Sequence, residues 1–221
     1  MNKTLTTLFA LLVASVTTMA SAQEVKGDVK AAEGKIAMCI GCHGIVGYKA
    51  SFPEVYQVPK ISDQNAKYIE AALHAYKKGD RKHPTMRGIA DSLTDQDIAD
   101  VAAYYEQSGK GKLEAPAKPS REPSTKVAEL LKKGTCVSCH GDNFSKGIDA
   151  SYPKLAGQNA DYLFVALKSY KVVNNPMVGR NNAIMGAMVK QFSNAELKEM
   201  ANYIGSLDGE LQTVPESRFR K

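Results

Sequence analysis

Cys39-Ile40-Gly41-Cys42-His43 returns as Cys136-Val137-Ser138-Cys139-His140, and these two pentads take up all four cysteines of the 221-residue chain. C-x-x-C-H is the attachment signature of c-type haem: two thiols form thioethers with the porphyrin vinyl groups, and the imidazole that follows ligates the iron. Helical geometry explains the spacing. Residues i and i+3 share a face, so both sulfurs meet one edge of the ring while the next residue falls beneath the metal. A zinc ribbon would set its Cys pairs about 15–20 residues apart with no obligatory His. A thioredoxin-like dithiol would need a βαβ setting, and structural disulfides would leave the repeated His unexplained. The pentads therefore predict two haem c groups, attached through Cys39, Cys42, Cys136 and Cys139 and ligated by His43 and His140.

Self-similarity extends well beyond the pentads. Ser51-Phe52-Pro53 to Pro59-Lys60-Ile61-Ser62-Asp63-Gln64-Asn65 corresponds to Ser151-Tyr152-Pro153-Lys154-Leu155-Ala156-Gly157-Gln158-Asn159, the first copy carrying extra residues. Further on, Tyr68, Leu73 and Tyr76 match Tyr162, Leu167 and Tyr170. A repeat of this length means two small domains rather than one large one. They are expected over 23–112 and 124–221, joined by a linker over 113–123 where Pro116, Pro119 and Pro123 interrupt any regular element. Each half should keep its own haem if the chain is cut between Gly109 and Pro123.

The periodicity within each half is helical, and the expected class is all-α. Ile69, Ala72, Leu73 and Tyr76 form a stripe that stops at Gly79, and Leu163, Ala166, Leu167 and Tyr170 repeat it. Thr94-x-x-Asp97 and Ser193-x-x-Glu196 have the form of capping boxes. Apolar stripes follow each: Ile98, Val101, Ala102 and Tyr105, then Leu197, Met200, Ala201 and Ile204. Leading helices are expected around Val29, Ala32 and Ile36, with Gly34 weakening the pattern, and around Val127, Leu130 and Leu131. No strand is evident. The tyrosine and leucine stripes read as core packed around the cofactors.

Residues 1–22 have the layout of a removable leader: Lys3, an apolar run from Leu8 to Ala14, then Ala20-Ser21-Ala22 as a cleavage site. The run is too short to span a bilayer, and no later stretch approaches 18 apolar residues. Export together with c-type haem implies the periplasm. Without the leader, 28 Lys and Arg against 23 Asp and Glu leave +5, which four haem propionates would nearly cancel. Nucleic-acid binding is not indicated.

The sixth iron ligand separates a wire from a catalyst, because a closed His/Met pair favours electron transfer while an open position admits substrate. In the first half Met86 is the candidate, in His83-Pro84-Thr85-Met86-Arg87-Gly88; Met38 precedes the haem motif and cannot reach the opposite face. In the second half Met177, Met185, Met188 and Met200 compete. Superposing the capping boxes puts Thr94 on Ser193, an offset that carries Met86 onto Met185. Met177 and Met188 have no counterpart, and Met200 belongs to a helix stripe. His74, off its helix's apolar stripe, and His83, beside a proline, read as solvated surface residues.

On these motifs the chain resembles the dihaem cytochromes c4, built from two tandem class I cytochrome c domains, over nearly its whole mature length. The likeness also rests on the Pro-Lys-(Ile/Leu)-x-x-Gln-Asn segments, the Met-Arg-Gly and Met-Gly-Ala loops, and Leu93-Thr94-Asp95-Gln96-Asp97 at the start of a helix. The resemblance implies that the carbonyls of Pro59 and Pro153 orient the proximal imidazoles. Two departures stand out: the second half lacks a proline matching Pro84, and Ser62-Asp63 replaces the Ala-Gly seen at 156–157. The implied role is a periplasmic electron carrier, not an enzyme. It would take single electrons from a quinol-oxidising complex and pass them towards a terminal oxidase, its partners being redox proteins of the respiratory chain. Peripheral association with a membrane oxidase is compatible with this. A haem-c redox enzyme or its electron-transfer subunit, of peroxidase or thiosulfate-oxidising type, is the alternative, and methionine at the equivalent loop of both halves argues against it.

Overall fold

The computed structural model describes residues 25–215, so the leader expected at 1–22 lies outside the described residues. In the first half, α1 (Val29–Ala32) and α2 (Ala37–His43) are separated by a turn around Gly34, where the leading stripe was weakest. β1 (Lys49–Ala50), β2 (Tyr56–Gln57), α3 (Ala66–Lys78), β3 (Arg81–Lys82), α4 (Pro84–Asp91) and α5 (Asp95–Gln107) follow. The second half repeats the helices as α6 (Thr125–Lys133), α7 (Cys136–His140), α8 (Ala160–Ser169), α9 (Ala183–Lys190) and α10 (Asn194–Ser206), with β4 (Gly179–Arg180) before α9. Each half is the all-α unit that the stripes imply.

The helix ends follow the expected chemistry. Thr94 Oγ1 accepts from the Asp97 N–H while the Asp97 carboxylate accepts from the Thr94 N–H, and Ser193 and Glu196 do the same for α10. A capping side chain of this kind is worth about 1 kcal/mol. α3 stops at Gly79, whose φ of +87° suits a residue without Cβ. Behind these caps, α5 buries Ile98, Val101, Ala102 and Tyr105, and α10 buries Leu197, Met200, Ala201 and Ile204. Each stripe joins the core of its own half, against α1 and α3 in the first and against α6 and α8 in the second.

The sequence shows no strand, yet four two-residue strands form among the described residues. They are too short to leave a period-two pattern. β1 pairs antiparallel with β2, and β3 pairs with β4 across the two halves, Arg81 opposite Arg180.

That pairing is one part of an extensive seam. Gln64 and Gln158 are buried, and each uses its amide on the other half's backbone. Gln158 accepts from the Lys60 N–H at 2.9 Å and donates to the Lys60 carbonyl at 2.9 Å. Gln64 does the same to Lys154, at 2.9 and 3.0 Å. Beside them Asn159 donates to the Val58 carbonyl and Asn65 to the Tyr152 carbonyl, both at 2.9 Å. The contacts are reciprocal, as across a two-fold axis. The Gln-Asn pairs of the repeat are thus the clamp between halves.

The symmetry breaks at Asp63. Asp63 and Gly157 occupy the same left-handed corner, with φ of +64° and +71°. Where Lys60 Nζ donates to the Gly157 carbonyl at 2.7 Å, Lys154 Nζ meets Asp63 at 2.9 Å and Glu210 at 3.1 Å. The chain after α10 crosses to the first half, where Gln212 bridges Ser62 and donates to the Gly109 carbonyl. Residues 113–123 have no regular structure and lie along the second half, held by Asn143 on the Pro116 carbonyl and by Ser120 under the Asp208 N–H.

Candidate haem-binding sites

In the first half α2 carries Cys39, Cys42 and His43 on one side, and all three line a cavity of about 380 Å³. Met86 lines the same cavity from α4, with Ile69, Leu73 and Val101 supplying apolar wall. The second half closes it with Pro153, Leu155 and Gln158. This is a largely apolar space with two thiols, an imidazole and a thioether facing into it, the donor set and shape that a covalently held haem requires.

The electrostatics suit ligation and not thiol redox chemistry. Burial pushes the Cys39 thiol up to about 11 and raises Cys136 as well, the opposite of the low-pKa thiolate of a disulfide oxidoreductase. Burial lowers His43 against the pull of the Pro59 carbonyl, keeping the imidazole neutral as a metal ligand must be. His43 Nδ1 lies 2.9 Å from that carbonyl, which makes Nδ1 the protonated nitrogen and leaves Nε2 for a metal. His140 is buried and likewise held low by burial, with the Pro153 carbonyl opposing. Its Nδ1 makes no hydrogen bond of good geometry, so the two proximal sites are alike in composition and differ in detail.

Both loop methionines occupy the third position of a short helix. The Met86 N–H donates to His83 Nδ1 at 3.4 Å, and the Met185 N–H to Asn182 Oδ1 at 2.9 Å. His83 is therefore not the solvated residue expected from its proline neighbour. It caps α4, is half-buried and lines the cavity. Pro84 follows as the first helical residue, and Ala183 fills that place in α9. Met86 packs on the first core beside Cys39, and Met185 on the second beside Cys136. The competing methionines lie elsewhere: Met200 is buried in the core, Met177 is exposed, Met38 is exposed on α2, and Met188 receives the Thr135 hydroxyl. His74 is exposed, as expected.

Two residues escaped the sequence reading. Arg81 and Arg180 sit among Tyr68, Tyr76, Tyr162 and Tyr170, whose stripes read as plain core. The offset that relates Met86 to Met185 also relates the two arginines, and that was the available signal.

Comparison with known proteins agrees with this architecture. The family model described as cytochrome c matches residues 31–108 and again 124–208. Cytochrome c4 of Stutzerimonas stutzeri is 32% identical over 219 residues, 94% of this chain and 100% of the relative. The thiosulfate dehydrogenase electron acceptor of Stutzerimonas stutzeri strain A1501 is 29% identical over 76% of this chain and 78% of its own. The crystal structure of reduced recombinant cytochrome c4 from Pseudomonas stutzeri is similar with a TM-score of 0.60 and 29% identity, covering 82% of this chain and 99% of that one.

Proposed function

We propose, for a chain that belongs to the cytochrome c family and is a dihaem protein of the cytochrome c4 type, that it shuttles single electrons in the periplasm from a quinol-oxidising complex to a terminal oxidase. Cys39, Cys42, Cys136 and Cys139 attach the haems, His43 and Met86 ligate one iron, and His140 and Met185 the other. Bound haem iron supplies the one-electron couple. The protein's own part is to keep each site closed and unchanged between oxidation states. Pro59 holds the His43 imidazole in one tautomer and orientation, and Pro153 has the corresponding place for His140. The capped starts of α4 and α9 fix the methionine backbones, and the apolar walls exclude water, which keeps reorganisation small.

The observation that carries this reading is Met86 in one cavity with Cys39, Cys42 and His43, matched by Met185 in the repeat. A thioether on each iron leaves no position for substrate. Periplasmic residence is supported by the leader-like residues 1–22 and by the lack, among the described residues, of any helix long and apolar enough to cross a membrane.

A second reading changes the donor and keeps the chemistry. Relatives named as electron acceptors of thiosulfate dehydrogenase support a thiosulfate-oxidising enzyme as an electron source. Stopped-flow mixing of the oxidised holoprotein with a quinol-oxidising complex, and separately with a thiosulfate dehydrogenase, decides between donors. Rapid reduction by the first and rapid reoxidation by oxidase-containing membranes is the expected result. Rapid turnover of peroxide by the protein alone would overturn both readings.

A further inference from the structure

The core stripes of α5 and α10 carry one polar difference. The offset that sets Thr94 on Ser193 sets Tyr105 on Ile204, a phenol against a hydrocarbon. Tyr105 is 4% exposed and lines the cavity into which Cys39, Cys42, His43 and Met86 face. Its place is fixed from two sides. The Tyr105 carbonyl accepts from the Asp63 N–H at 2.8 Å, and the ring stands edge-on to Tyr104 with centres 5.2 Å apart. Its hydroxyl meets the Cys39 sulfur: burial raises that thiol, and a hydrogen bond from Tyr105 pulls against it. Burial raises Cys136 too, but there the opposing hydrogen bond comes from its own backbone. Ile204 is buried in the core against which Cys136 packs and has no group to donate.

We propose that Tyr105 tunes the first haem alone, its hydroxyl donating to the thioether sulfur of Cys39 and drawing that haem's potential upward. This inference rests on the two-haem reading above and goes beyond it by naming a residue that makes the two haems unequal. Adding a thiol across a vinyl group puts the sulfur on one carbon and the thiol hydrogen on the other. The attached sulfur therefore keeps its lone pairs and has no hydrogen to give, so the contact has one direction, O–H to sulfur. The positive end of the hydroxyl dipole then faces the porphyrin edge in a buried, weakly screening setting. The reduced haem carries one electron more than the oxidised one, so this dipole favours reduction, and hydrogen bonding of this kind is one of the levers by which a protein sets a haem potential. Core packing alone would be served as well by phenylalanine, which makes the hydroxyl the informative atom.

The test is a spectroelectrochemical titration of wild-type and Tyr105→Phe holoproteins, with haem count and the sulfur-to-iron band recorded on each sample. Met185→Ala marks which couple belongs to the second haem. Phenylalanine keeps the ring and removes only the donor, so a role in packing would leave both potentials where they are. The first couple should instead fall by about threefold in its reduction equilibrium, about 28 mV at about 59 mV per tenfold for one electron, while the second stays. An unmoved first couple in a variant with two His/Met haems would overturn the role of Tyr105 alone, and so would equal shifts of both couples. A wild type without two His/Met haems would overturn the underlying reading. Should Tyr105→Phe fail to mature, resonance Raman spectra of the wild type in H2O and after equilibration in D2O decide. A thioether carbon–sulfur band displaced by deuterium is expected, and bands indifferent to deuterium would refute the bond.

Discussion

Replacing Asp63 by glycine would make the first domain's corner identical to Gly157 and isolates what the extra carboxylate does. Two effects oppose each other. Asp63 sits at φ +64°, and relieving an L-residue of that conformation gains about 1 kcal/mol. Against this, the Asp63–Lys154 contact at 2.9 Å has side chains only 6% and 14% exposed, so it is a desolvated, charge-assisted bond worth about 1.5–3 kcal/mol. The loss wins, leaving Asp63→Gly destabilised by about 0.5–2 kcal/mol, with Lys154 still held by Glu210. Asp63→Ala forfeits the bond and keeps the left-handed cost, so it should lose about 1 kcal/mol more than the glycine variant. At about 2–4 °C per kcal/mol for a chain of this size, calorimetry of the holoproteins should order their melting temperatures wild type, Gly, Ala over several degrees. A glycine variant as stable as wild type, or an alanine variant equal to the glycine one, would refute the reasoning.

Gln64→Leu and Gln158→Leu each strand a partly buried backbone N–H and C=O on the other half, and each should cost about 2–4 kcal/mol in urea unfolding; unequal losses would contradict the reciprocal clamp. Cleavage within 113–123 should leave the two halves co-eluting in size-exclusion chromatography, because Gln64, Gln158, Asn65 and Asn159 bind backbone across the seam; prompt separation would show the seam to be weak. Burial would raise the Asp100 carboxyl, but Lys35, the Asp28 N–H and Gln96 outweigh it and hold it low. A carboxylate held low stabilises the fold above about pH 4 and loses that contribution as pH falls through its folded value. Asp100→Asn should therefore flatten the acid limb of stability measured by unfolding at stepped pH, and an unchanged slope would exclude Asp100 from it.

Local chemistry was legible in the sequence where the signal and the structure share one segment. The two capping boxes, the Gly79 stop and the break at Gly34 depend on residues a few places apart, and each appears in the fold. Met86 was singled out by its loop position and Met185 by the repeat that relates it to Met86, and both pack beside the first cysteine of their own half's pentad. What failed was whatever depends on docking one half on the other. Gln64 and Gln158 satisfy backbone 90 and 98 residues away, so nothing local marks them as a clamp. The tyrosine stripes have the period of plain core, and nothing in that period shows that Tyr68 and Tyr76 face Arg81, or Tyr162 and Tyr170 face Arg180. His83 was judged by its proline neighbour, whereas its role as cap depends on where α4 begins.

The central claim is two closed His/Met haems per chain. It is tested most directly by the long-wavelength sulfur-to-iron absorption band of the oxidised holoprotein, normalised to haem content, in wild type, Met86→Ala and Met185→Ala. The account predicts two-haem intensity in the wild type and half of it in each variant, with carbon monoxide binding appearing only in the variants. A wild type with one-haem intensity and a high-spin iron that binds carbon monoxide, or a Met185→Ala protein that keeps the full band, would contradict it.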